Sequence, residues 1–209
     1  MATPTDFTID AAGWCAAARQ VLSPNCDDRS AGTAVDLLII HNISLPPGEF
    51  GGDKIEALFC NRLDYDAHPY FDQLRALRVS AHFLVRRDGS LLQFVSTDRR
   101  AWHAGASAFA GRERCNDFSI GIELEGTDTQ PFEAAQYRTL VALSLALQAH
   151  HGLTDVMGHQ HVAPGRKTDP GPFFDWQAYQ NAYRRAHFRR APTAPADAAL
   201  RFVVDTPTV

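Results

Sequence analysis

The chain has no run that approaches the roughly 18 consecutive apolar residues a membrane span needs, and Met1 to Ile9 carries neither a basic start nor an apolar stretch of the kind that directs export. The expectation is a cytoplasmic protein with no membrane partner. Cysteine is sparse: Cys15, Cys26, Cys60 and Cys115 stand far apart with no Cys-x-x-Cys pair, which argues against a thiolate metal cluster and a disulfide framework and leaves reduced thiols. There is no excess of positive charge either. The formal net charge is -4, from 24 acidic against 20 basic residues, and the basic ones cluster only near Arg184 to Arg190, so nucleic acid is not expected as a partner. No internal repeat is present.

What is there is a chain of 209 residues with 45% hydrophobic content, enough for one domain with its own core. Residues 1–188 are expected to form it, and 189–209, rich in Ala and Pro at its start, reads as a linker-like tail. Val35 to Ile40 is a short, nearly continuous apolar run that suits a strand buried on both faces, ending at His41. Pro46, Pro47, Gly48, Gly51 and Gly52 mark a loop, after which Ile55, Leu58 and Phe59 recur at helical spacing. Asp88-Gly89 between His82–Arg87 and Leu91–Val95 is a hairpin signal. Ser119 to Glu125 alternates, with Ile120, Ile122 and Leu124 on one side and Ser119, Gly121, Glu123 and Glu125 on the other. A long helix is expected over Phe132 to His151 with Gly152 as its stop, then a short strand over Asp155 to Gly158 and a helix over Asp175 to His187. This order of elements predicts an α/β domain with a mixed sheet flanked by helices.

Ligands of such sheets gather beyond the strand ends, and the loop Gly158 to Pro172 concentrates His159, His161, Lys167 and Asp169 there. Loops of this length are usually functional. His41 and His159 each end an apolar strand and begin a Gly/Pro loop; with Asp169 they make two imidazoles and one carboxylate, a donor set that suits one catalytic zinc ion with a position left open. On an extended segment His159 and His161 share a face, and periodicity does not choose between them. His150, His151 and His187 fall at helix ends, where an imidazole meets the helix dipole, and His68, His82 and His103 read as hydrogen-bonded pocket-wall residues. Glu123, among apolar neighbours on a strand, needs a partner, a proton or a cation nearby; Glu125 is its rival, and an ion pair with an arginine is the plain alternative. Lys167 and Arg166 flank the same loop.

Several blocks resemble a known family: Leu37 to Gly52 (containing Ile-His-Asn-Ile-Ser-Leu-Pro-Pro-Gly-Glu-Phe), Arg78 to His82, Ala101 to Gly105, Gly111 to Asp128 (containing Ser-Ile-Gly-Ile-Glu-Leu-Glu-Gly) and Ala163 to Pro172. Together they are similar to the cytoplasmic 1,6-anhydro-N-acetylmuramoyl-L-alanine amidases of the AmpD family, over about Gly13 to Tyr179. These belong with T7-type lysozyme and the peptidoglycan recognition proteins, which share a mixed sheet flanked by helices. The resemblance implies zinc ligation by His41, His159 and Asp169, which demotes His161, with Glu123 as proton acceptor, Lys167 as transition-state stabiliser and Tyr70 as an aromatic residue near the site. It implies hydrolysis of the amide between the lactyl group of the anhydromuropeptide and L-alanine, in peptidoglycan recycling. The stem peptide of that substrate carries carboxylates, which arginine forks bind well; Arg78, Arg114 and Arg166 are the candidates, and Asn42 is a further contact to substrate or backbone. No obligate protein partner is expected. Three rivals stand beside this reading: an amidase of intact wall, a recognition module without catalysis, and a cysteine hydrolase built on Cys115 and His103.

Overall fold

A computed structural model describes residues 7–204. Its centre is the strand Leu37–Ile43, whose first four residues are fully buried because each points into one of two cores. Leu38 and Ile40 pack toward the helices Ala134–His151 and Trp176–Arg190, with Ile120, Ile122, Leu124, Tyr179 and Tyr183. Leu37 and Ile39 face the opposite side, against Ala104, Cys115, Phe118, Met157 and Val162. The continuous apolar run thus has the two-faced burial it predicts.

This strand is flanked in parallel by Ser119–Glu125 and Asp155–Gly158. Beyond Ser119–Glu125 come Phe83–Val85, parallel to it, then Leu91–Gln93, antiparallel to Phe83–Val85, and last the short strand Arg19–Gln20. The expected hairpin forms at Asp88-Gly89: Asp88 Oδ1 accepts from Ser90 N at 2.8 Å and Gly89 takes a left-handed φ of 85°. A single antiparallel pair in an otherwise parallel seven-stranded sheet gives the mixed α/β architecture.

The long helix begins at Ala134 and ends where predicted, at Gly152 (φ 72°), whose N–H caps the Gln148 carbonyl. The last helix starts at Trp176, with the Asp175 carboxylate accepting from Ala178 N at 2.8 Å, and runs three residues past His187 to Arg190. All four cysteines are unpaired. Among the described residues no helix is long and apolar enough to cross a membrane.

The linker-like reading of 189–209 is corrected as far as residue 204. Leu200 is fully buried, Gln148 Nε2 donates to the Ala198 carbonyl at 2.8 Å, and Arg201–Phe202 adds a seventh strand parallel to Asp155–Gly158. The Arg201 guanidinium forks onto Asp155 at 2.9 and 2.8 Å. The Ala/Pro composition describes the crossing from helix to sheet edge, and a two-residue strand is too short to show a period. Residues 205–209 lie outside the described range.

Candidate active site

Sheet register brings the central residues together. Pairing of Leu37–Ile43 with Ser119–Glu125 sets His41 opposite Glu123, and pairing with Asp155–Gly158 sets Ile40 opposite Gly158, so His159 emerges next to His41. Gly158 has to be glycine, since a Cβ there would lie 2.7 Å from Pro170 Cδ. That close approach lets the loop fold back so that the Asp169 carbonyl accepts from Gln160 N at 2.8 Å and its carboxylate reaches the two imidazoles.

Three donor atoms converge: His41 Nδ1 and His159 Nδ1 are 3.0 Å apart, and Asp169 Oδ2 is 3.0 Å from the first and 3.1 Å from the second. His159 Nε2 lies 3.0 Å from the Ala104 carbonyl oxygen, which only accepts, so the ring proton is on Nε2 and Nδ1 turns a lone pair into the triangle. Burial, with the neighbouring His159 ring, pushes the His41 imidazolium down to about 4, leaving the neutral ring that ligates metals. Tetrahedral ligands at about 2.0–2.1 Å from a zinc-like cation stand about 3.3 Å from one another, within a few tenths of an ångström of the spacing here. The His159 lone pair and the Asp169 carboxylate held this close repel unless a proton or a cation lies between them, and the three residues fit a cation.

Glu123 faces the same cavity. Its Oε2 is shielded from solvent and has no hydrogen-bond partner among the described residues. Burial raises this carboxyl well above the ordinary range, Asp169 raises it further, and Lys167 opposes both. Glu125, two residues on, takes the ion-pair role instead: it is buried and accepts from Arg86 Nη1 at 2.8 Å, Gly51 N at 2.7 Å and Arg87 N at 3.1 Å. The cavity has a volume of about 600 Å³, and its walls include Asn42, Tyr70, His103, Arg166 and Lys167 besides the three donors and Glu123.

His161 does not join them. His159–Val162 is one turn of helix rather than extended chain, so the rings diverge: His161 Nδ1 accepts from Gly158 N at 3.0 Å and its ring packs 5.8 Å from that of Trp176. Asn42 is a brace, donating to Asp128 Oδ1 at 2.6 Å and the Pro170 carbonyl at 3.0 Å. Arg166 donates to the Ala104 and Ala106 carbonyls at 2.7 and 2.6 Å, which ties the loop that carries Asp169 to Ala104. Arg78 and Arg114 are not in the cavity wall. Arg78 is exposed between the wall residues Leu77 and Val79 and, among the described residues, donates only to backbone carbonyls, while the exposed Arg114 pairs with Asp117 at 3.2 Å and lines an adjoining cleft that shares Arg166. Cys115 is buried and burial raises its thiol pKa, the reverse of a reactive cysteine, and His103 is bonded elsewhere.

Of the histidines expected in the pocket wall, His103 lines the cavity and His82 packs behind it, with ring centroids 5.1 Å apart for His41 and His103 and 5.6 Å for His82 and His103. Asp128 as the partner of Asn42 was not legible in sequence, because nothing in its spacing ties it to residue 42.

Residues 31–172 match the family described as N-acetylmuramoyl-L-alanine amidase. The 1,6-anhydro-N-acetylmuramyl-L-alanine amidase AmpD of Escherichia coli K12 is 55% identical over 170 residues, covering 80% of this chain and 93% of that protein. The crystal structure of a selenomethionine AmpD derivative superposes with a TM-score of 0.79 at 55% identity, over 81% of this chain and 96% of that one. The amidase AmiD of E. coli, in complex with anhydro-N-acetylmuramic acid-L-Ala-D-gamma-Glu-L-Lys, aligns at a TM-score of 0.53 and 30% identity, over 80% of this chain and 68% of that one. With its mixed sheet, His/His/Asp triangle and adjacent buried carboxylate, the chain belongs to the N-acetylmuramoyl-L-alanine amidase family.

Proposed function

We propose that the protein hydrolyses the amide between the lactyl group of 1,6-anhydro-N-acetylmuramic acid and L-alanine, using one zinc ion held by His41, His159 and Asp169. The observation that carries this is the triangle of three donor atoms at 3.0–3.1 Å beside a carboxylate oxygen with no partner. The substrate class follows from the AmpD relatives and from the anhydromuropeptide bound by AmiD. The same resemblance implies a cytoplasmic place in peptidoglycan recycling.

Zinc in that triangle would supply Lewis acidity for the scissile carbonyl and a lowered pKa for water. Glu123 Oε2, with no hydrogen bond to give up, takes a proton from the attacking water and returns it to the leaving amine, a role typically worth about 10²- to 10⁴-fold. Its raised pKa suits both directions of transfer. The Lys167 ammonium steadies the oxyanion as the carbonyl carbon becomes tetrahedral, where loss of one donor typically costs about 2.7–4 kcal/mol. Water adds to the carbonyl carbon, the C–N bond breaks, and the products are the lactyl carboxylate and the free α-amine of the peptide. Tyr70 offers a half-exposed ring at the cavity wall. Arg78, beside the wall residues Leu77 and Val79, Arg114 in the adjoining cleft, and Arg166 between the two clefts are assigned to the stem-peptide carboxylates.

The test separates metal binding from chemistry. Glu123→Ala keeps stoichiometric zinc and loses turnover, whereas His41→Ala and Asp169→Ala lose both, read by metal analysis and product mass spectrometry. Zinc loss in Glu123→Ala would sink this division of roles. Stoichiometric zinc in the unaltered protein with no turnover of any muropeptide would favour the recognition module, and faster release from whole sacculi than from anhydromuropeptide would favour an amidase of intact wall.

A further inference from the structure

We infer that His103 is a positioning residue that holds His41 in the one tautomer able to ligate through Nδ1. The inference rests on the metal reading above and deepens it. Ser119 Oγ lies 2.6 Å from the Cys115 carbonyl, which only accepts, so the single hydroxyl proton points there. The same Oγ lies 3.2 Å from His103 Nε2 and can only accept from it, which places a proton on that nitrogen.

The His103 ring meets Ser119 Oγ and the rings of His41 and His82, and among the described residues no carboxylate lies within ion-pair distance of it, so a second ring proton would be a charge without a counter-ion. His103 Nδ1 is therefore a lone pair. That lone pair faces His41 Nε2 at 3.0 Å, so His41 carries its proton on Nε2 and donates it to His103. His41 Nδ1 is left bare, turned toward His159 Nδ1 and Asp169 Oδ2. The direction of the chain is set by a carbonyl that cannot donate. Run the other way, the chain would place a proton on His41 Nδ1, inside the triangle where a cation has to sit.

The surroundings hold the ring in place. Gly121 gives it room, since a Cβ there would come within 2.5 Å of His103 Cγ and Nδ1. His82 packs behind it with its own tautomer fixed: Nδ1 accepts from Gly121 N at 3.0 Å, and Nε2 donates to the Arg99 carbonyl at 3.0 Å. Both metal-binding imidazoles thus have the second nitrogen committed, His159 to a backbone carbonyl and His41 to a relay that ends on one. Groups that orient a ligand in this way are typically worth about 10- to 100-fold in metal affinity.

The experiment uses the full ¹⁵N-labelled chain and long-range ¹H–¹⁵N correlation of the imidazoles, first metal-free and then zinc-loaded. The expected pattern is Nε2–H on both His103 and His41 in the metal-free protein, kept when zinc binds. His103→Leu should weaken zinc binding about 10- to 100-fold and give His41 a mixture of tautomers. His103→Asn, whose amide oxygen can occupy the place of Nδ1 and accept from His41, should recover most of the affinity. An Nδ1–H on His103, or wild-type zinc affinity in a folded His103→Leu, overturns the assignment. Should the leucine variant not fold, the tautomers of the unaltered chain decide. Failure of the unaltered chain to bind zinc would show in the first titration and refute the metal reading; the metal-free tautomers are read separately from it.

Discussion

Two carboxylates on one face of one strand, Glu123 and Glu125, are expected to respond to mutation in opposite ways. Glu125 is 2% exposed and accepts three hydrogen bonds, one of them from Arg86, whose guanidinium is itself buried. Glu125→Ala leaves that cation with only Glu56 and the Gly52 carbonyl, and breaking a buried pair from one side typically costs about 3–5 kcal/mol. In a chain of this size each kcal/mol is worth about 2–4 °C, so the metal-free protein should melt about 6–20 °C lower. Glu123 makes no such bonds, and burial holds its carboxyl pKa well above the ordinary value. For an acid raised in the folded state, the stabilisation from protonation is fully present below the unfolded value of about 4.3 and is lost as pH rises through the native value. Glu123→Gln removes that loss, so at pH 7 the metal-free variant should melt at or above the parent temperature, with the difference vanishing below about pH 4.3. Thermal denaturation of both variants across pH 4–8 reads the result. Equal destabilisation by the two, or no cost for Glu125→Ala, refutes the separation of a structural from a chemical carboxylate.

Gly121→Ala inserts a Cβ 2.5 Å from the His103 ring, which has to retreat by about 1 Å to reach ordinary contact. The variant should lose about 1–3 kcal/mol and bind zinc more weakly, checked by melting and competition with a chromogenic chelator; an unchanged affinity would contradict the packing. Leu200→Ala should cost about 2–5 kcal/mol with turnover per folded molecule intact, since the tail closes the sheet edge away from the cavity; a melting point equal to the parent would mean the segment contributes nothing. Lys167→Ala should keep stoichiometric zinc and lower kcat about 10²- to 10³-fold, measured by steady-state kinetics on anhydromuropeptide.

Much of the scaffold was legible because it depends on local pattern. The two-faced apolar run before His41, the alternation over Ser119 to Glu125 and the glycine stop at Gly152 all follow from periodicity and backbone preference. Roles set by register or by one turn were not. His159 and His161 are equivalent on extended chain and separate only because four residues there wind into a helical turn. Glu123 and Glu125 share a face, and what distinguishes them is Arg86, 39 positions from Glu125 and brought in by the neighbouring strand. The polarity running from Cys115 to His41 depends on which atoms meet at 2.6–3.2 Å, and no spacing encodes that. The tail escaped for the reverse reason, its Ala/Pro crossing dominating a strand of two residues.

The His41, His159 and Asp169 triangle is proposed to hold the zinc on which hydrolysis of the lactyl–L-alanine amide depends. The most direct test is product analysis by mass spectrometry on anhydromuropeptide, comparing the zinc-loaded chain, the same chain after exhaustive chelation, and that chain again after one equivalent of zinc is returned. Anhydro-N-acetylmuramic acid and the intact stem peptide are expected in the first and third samples and neither in the second. Undiminished cleavage by the chelated protein, or cleavage at any other bond, would contradict it.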